Sequence, residues 1–114
     1  MSWPQPGQIW LVQEAIDMRA GIDSLAARIQ HTLGRTPSDG AAYVFRNRRA
    51  NRLKALVFDA SGIWLCQRRL HQGGFTWPEA DAQLFILNPA QWEWLCKGVD
   101  WRRLSADRIP DWLY

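Results

Sequence analysis

Ala42-Tyr43-Val44-Phe45-Arg46-Asn47-Arg48-Arg49-Ala50-Asn51-Arg52-Leu53-Lys54-Ala55-Leu56-Val57-Phe58 is the stretch on which the reading of this chain turns. Both ends are apolar runs of strand-forming residues, and the middle carries Arg46, Arg48, Arg49, Arg52 and Lys54 with no acid among them. The pattern predicts a β-hairpin with a charged tip. An ordered array of cations repels itself, so its natural external partner is a polyanion. The simpler reading of the same residues is a solvated turn whose arginines keep the protein soluble, because short basic runs have low specificity.

Working outward, Asp59-Ala60-Ser61-Gly62 has Asp at a turn start and Gly where a positive φ is cheap. It predicts a second hairpin, into a strand from Ile63 to Arg69. That strand's start, with Trp64, is expected to be buried on both faces and its end to emerge into water. In register, the two hairpins bring Arg68 and Arg69 beside the basic tip. Between residues 40 and 75 there are seven basic side chains against the single acid Asp59, whereas the rest of the chain holds seven basic and ten acidic groups. The formal charge of +3 is therefore concentrated in the middle third.

On the N-terminal side, residues 1–7 hold two prolines and a glycine and predict an extended arm. Gln8 to Val12 reads as a short buried strand. Ile22, Leu25, Ala26, Ile29 and Leu33 recur at helical spacing, with Asp23 in the first turn and Gly34 placed for a left-handed C-cap. His31 falls on the solvated face of that helix. Arg35 to Gly40 is a loop by composition.

On the C-terminal side, Phe75 to Pro78 is a short extended piece and Leu84 to Leu87 a further strand. Asn88 followed by Pro89 reads as an N-cap and first helical residue, opening a helix that ends near Gly98. The tail from Asp100 onward is less regular, with residues 104–114 irregular, and is expected to dock through Trp101 and Trp112. The whole predicts a single α+β domain over residues 1–114, an antiparallel sheet of four to five strands with helices packed on one face.

Few groups support catalysis. There is no phosphate-cradling glycine loop, no H-E-x-x-H and no zinc-type cysteine spacing. His31 and His71 have no serine or cysteine placed for activation, and Cys66 and Cys96 read as small core residues. No cofactor, metal ligand or small-molecule substrate is expected. A metal-dependent nuclease could draw on Asp17, Asp23, Asp59 and Asp100, although Asp59 has a simpler role in its turn. No apolar run approaches the about 18 residues a membrane span requires, and no cleavable leader is visible, so a soluble cytoplasmic protein is expected. The eight tryptophans allow either base stacking or core filling, with Trp10, Trp64 and Trp92 at expected core positions.

Several blocks, in this order and spacing, resemble the short accessory proteins, usually called TnpB, of bacterial insertion sequences of the sixty-six type. They are Asp17-Met18-Arg19 with Gly21 and Leu25, then Phe45-Arg46, Arg48-Arg49, Arg52 and Lys54, and Asp59 with Gly62. They continue through Arg69-Leu70, Gly74-Phe75 and Trp77-Pro78 to Gly98 and Asp100-Trp101. Ala20 stands where that family often carries a basic residue. The resemblance implies a bacterial protein encoded beside a separate transposase, assisting movement of the element without enzymatic activity of its own. Transposition complexes assemble on DNA, so it also favours DNA as the polyanion, met by Arg46, Arg48, Arg49, Arg52 and Lys54 and extended by Arg68 and Arg69. Docking on the transposase through arginines and exposed tryptophans, without touching DNA, is the alternative expectation.

Overall fold

The structure, a computed structural model, describes residues 7–36, 40–79 and 81–104. The N-terminal arm before Gly7, part of the first loop and the tail with Trp112 lie outside the described residues.

Five strands form one sheet: β1 (Ile9–Val12), β2 (Ala42–Arg46), β3 (Arg52–Phe58), β4 (Ile63–Arg69) and β5 (Leu84–Leu87). Helix α1 (Ile22–His31) follows β1, helix α2 (Pro89–Cys96) follows β5, and a single 3-10 turn spans Trp101–Arg103. The strand order is β4-β3-β2-β1-β5. The α+β class is as expected. The sheet is antiparallel throughout except between β1 and β2, which run parallel because α1 carries the chain back across the sheet between them.

The helices do not share a face, contrary to expectation. Leu25 and Ile29 of α1 pack with Tyr43, Phe45, Leu56 and Phe58, whereas Trp92 and Leu95 of α2 pack with Val44, Leu53, Ala55, Val57 and Leu87. The cause lies in the two central strands. All of β2 up to Phe45, and all of β3 after Arg52, is buried, so side chains pointing both ways must be covered. Layers on both sides satisfy that demand, as they do for other two-sided apolar strands.

The edge strand β4 also departs from expectation. Ile63 is 44% and Trp64 37% exposed, because the β3–β4 hairpin carries its start beyond the reach of either helix. Trp64 Nε1 instead donates to Asp59 Oδ2 at 2.9 Å. Trp10 is half-buried with the Arg35 guanidinium 4.5 Å from its ring centre, while Trp92 is buried as expected. Trp101 docks, its ring buried against Phe85 and its Nε1 donating to Thr76 O.

Helix α2 starts where its sequence says it must. Asn88 Oδ1 accepts from Gln91 N at 2.8 Å, and Gln91 Oε1 accepts from Asn88 N at 2.9 Å, a reciprocal capping box. Gln91 is itself buried and its Nε2 donates to Leu104 O, so the cap also anchors the segment after α2. Replacing Asn88→Ala should cost about 0.5–2 kcal/mol. A thermal melt should register a fall of about 3–6 °C per kcal/mol lost for a domain of this size.

Candidate functional site

The β2–β3 turn is fixed from several sides. Asn47 Oδ1 accepts from both Asn51 N and Arg52 N, at 3.1 and 3.0 Å, and its Nδ2 donates to Asn51 Oδ1 at 2.7 Å. Asn47 O takes Ala50 N, and Ala50 closes the turn at φ 54, an unusual value for a residue with a Cβ. The next turn of chain then packs against it. Phe75 N donates to Ala50 O, Leu70 N donates to Asn51 O, and a Cβ on Gly74 would come within 3.0 Å of Ala50 O. Arg48 and Arg49 project from this braced apex and are exposed.

The seven cations named from the sequence divide into two groups. Arg52, Arg68 and Arg69 do gather near the apex, since Arg52 pairs with Arg69 and Leu53 with Arg68 across β3 and β4. Arg48, Arg49, Arg52 and Arg69 are exposed, and among the described residues none is ion-paired with an acid. Arg68 is exposed but its Nε donates to Cys96 O, closing the C-terminus of α2 where a cation is favoured.

Arg46 and Lys54 are corrections. Lys54 is only 6% exposed, and its ammonium donates to Ala20 O at 2.8 Å beneath the loop that precedes α1. Arg46 is half-buried, donating to the carbonyls of Gln13, Asn47 and Arg48 with its guanidinium 5.9 Å from the centre of the Trp77 ring. Both hold the hairpin against the loop after β1, and neither offers a free charge to a ligand. Carbonyl acceptors offset the desolvation of the Lys54 ammonium and of the two terminal nitrogens of Arg46, whose buried Nε has no hydrogen-bond partner among the described residues.

That loop carries Asp17-Met18-Arg19. Asp17 accepts from the Arg19 backbone and guanidinium, with a closest approach of 2.7 Å. Hydrogen bonding from Arg19 holds the Asp17 carboxyl down to about 2, and raises the Arg19 guanidinium in return. Met18 reaches an open depression of about 400 Å³ whose other walls are Arg52, Leu53, Gln67, Arg68 and Arg69. Met18 and Gln67 belong to this surface and were missed from the sequence. Met18 sits inside the conspicuous Asp-Met-Arg block, which was the available signal. Gln67 alternates with Arg69 along β4 and is placed by register alone.

Of the four candidate carboxylates, Asp17, Asp59 and Asp100 are committed locally. Asp59 Oδ1 accepts from Ser61 N, Ser61 Oγ and Gly62 N, and these bonds with that from Trp64 lower its titration. Asp100 is bound by Arg102 in the same way as Asp17 by Arg19. Among the described residues no three metal-binding side chains come together. Cys66 and Cys96 are free thiols, and burial pushes Cys96 up to about 12, far from a nucleophile's range. No helix among the described residues is long and apolar enough to cross a membrane.

A small α+β protein with a two-sided mixed sheet, displaying a braced cationic hairpin and no assembled catalytic cluster among its described residues, is the class these features define. A family model described as "IS66 Orf2 like protein" matches residues 7–106, and the chain belongs to that family. It is 40% identical over 95 residues to the uncharacterized protein y4hO of Sinorhizobium fredii (strain NBRC 101917 / NGR234), covering 83% of each chain. It is also 30% identical over 102 residues to the uncharacterized protein y4jC of the same strain, covering 90% of this chain and 87% of that one. No solved structure matches it.

One outcome checks the placing of Lys54 and another the Asp17–Arg19 pair. Lys54→Met keeps the volume but leaves Ala20 O without its donor, and should lower stability by about 1–3 kcal/mol in denaturant unfolding. NMR titration of Asp17 should give a midpoint of about 2, moving toward the ordinary 3.8 in Arg19→Gln. Because the folded value is the lower one, the stabilisation from this pair is complete above the unfolded carboxyl's range and is lost as pH falls through about 2.

Proposed function

We propose that this protein is a non-catalytic accessory factor of DNA transposition that binds DNA through the arginine end of the β2–β3–β4 ribbon, supports transposase assembly and works in the bacterial cytoplasm. Membership of the IS66 Orf2-like family supports the transposition role. The observation that carries DNA binding is that Arg48, Arg49, Arg52 and Arg69 are exposed together at one end of the sheet, with no ion-paired acid among the described residues. Guanidinium groups held on a rigid frame suit phosphate contacts, which dominate nucleic-acid affinity.

Four phosphate contacts should make log affinity fall against log salt with a slope of about −3.6 on duplex DNA. Joining Arg68 to the contact would steepen it to about −4.5. Arg48→Glu with Arg49→Glu should weaken binding strongly and leave the melting temperature unchanged, since neither side chain holds the fold. Absence of binding at low salt, or a slope near zero, removes the DNA reading.

A second reading has its own observation. Ile63 and Trp64 are exposed at the opposite end of β4 from the arginines, an apolar anchor of the kind found in protein interfaces. On that reading the protein docks on the transposase directly. Co-purification that survives nuclease digestion and is lost in Trp64→Ala supports direct contact, whereas loss on digestion supports a DNA bridge.

A further inference from the structure

Arg52 and Arg69 stand directly opposite each other on β3 and β4. The bond from Leu70 N to Asn51 O makes the adjacent 51/70 pair a hydrogen-bonded one. By the alternation of antiparallel ladders, Arg52 and Arg69 then form the closely spaced, non-hydrogen-bonded kind of pair. Like charges so placed destabilise a sheet. Lys54 follows two residues along the same face, turned toward Ala20 O, so it adds positive potential without relieving the repulsion. The opposed arginines border the depression of about 400 Å³, with Met18 and Gln67 on its other walls.

We propose that Arg52 and Arg69 form a clamp for one phosphate group of a nucleic-acid strand, and that the depression receives the sugar or base attached to it. This rests on the DNA-binding reading above and names its central subsite. A phosphate between two guanidinium groups turns their repulsion into charge-assisted, bidentate hydrogen bonding. Met18 supplies a polarizable apolar wall, and the Gln67 amide supplies both donors and an acceptor. A nucleotide enters the depression only by turning out of line with its neighbours, which an unpaired strand does without the unstacking cost a duplex bears. The subsite therefore favours single-stranded over duplex DNA.

The test compares the wild type, Arg52→Gln/Arg69→Gln and Arg48→Gln/Arg49→Gln. Melting temperature is followed against inorganic phosphate at constant ionic strength, and affinity is measured for one oligonucleotide as a single strand and as a duplex. Phosphate should raise the melting temperature of the wild type and the apex variant further than that of the clamp variant, because a ligand bound to the folded site adds to the general salt stabilisation that all three share. With phosphate absent and salt low, the clamp variant should melt above the wild type. Its affinity for the single strand should fall about tenfold or more. Met18→Ala should weaken single-strand binding while leaving the phosphate shift intact. Equal phosphate stabilisation in the wild type and the clamp variant overturns the proposal. Single-strand affinity kept by the clamp variant but lost by the apex variant also overturns it, while leaving DNA binding through the hairpin in place. An added phosphate shift confined to proteins with the clamp, with no nucleic acid bound by any of them, overturns the DNA reading and with it the ligand named here.

Discussion

The pairing of β2 with β3 buries nearly every side chain on both strands, and most of the architecture follows from that one constraint. A strand buried on one face alternates with polar residues, whereas Tyr43, Val44 and Phe45, or Leu53 through Phe58, leave no polar side to face water except at Lys54. Two covers are then needed. α1 supplies one, and α2 supplies the other with Phe75, Trp77 and Trp101. The parallel β1–β2 pair is a consequence, because a helix covering one face between two strands returns the chain in the same direction.

The same constraint sorts the central cations. Where the hairpin runs inside the sheet, a charge must find a buried acceptor, and Lys54 and Arg46 do so on main-chain carbonyls of the segment between β1 and α1. Where the ribbon leaves the cover of α1 and α2, the charges face solvent. The buried Lys54 and half-buried Arg46 thus anchor the frame, and the exposed cations ride on it. The bracing of the turn by Asn47, Asn51 and the 73–75 segment adds a further property, since arginines mounted on a fixed backbone lose less conformational freedom on binding than those on a mobile loop.

Much of this frame was legible in the sequence. The bounds of β2, β4 and β5 and the start of α2 follow from apolar runs, turn residues and the Asn-Pro cap, all local signals. The two-sided burial was also legible, since the unbroken apolar runs contain it, yet helices on one face were expected because nothing local assigns a helix to a side. Lys54 carried a signal too, a lone lysine between Leu53 and Ala55 in an otherwise apolar strand. The role of Arg46 was not legible. Its acceptor on Gln13 is 33 residues away and its aromatic neighbour Trp77 comes from another segment, so only tertiary packing creates the site. The exposure of Trp64 follows from β4 being an edge, a property of strand order rather than of the strand's own residues.

Charge segregation along a chain need not survive folding, and here the acids explain why it does. Asp17 and Asp100 each bind the arginine two residues ahead through both its backbone and its guanidinium, and Asp59 closes its oxygens on its own turn. Each carboxylate is held down by partners within a few residues, so none of the three swings over to the ribbon's arginines. Asp17 and Asp100, each beside its own arginine, add little to the distant field, because the adjacent opposite charge cancels them beyond the about 8–10 Å over which salt screens surface charge, while Asp59, bonded to neutral donors, sits at the other end of β3 from Arg52. The charge at the β2–β3–β4 end is therefore carried by arginines without an ion-paired acid among the described residues, with Arg52 and Arg69 set directly opposite each other, an arrangement of like charges that destabilises a sheet.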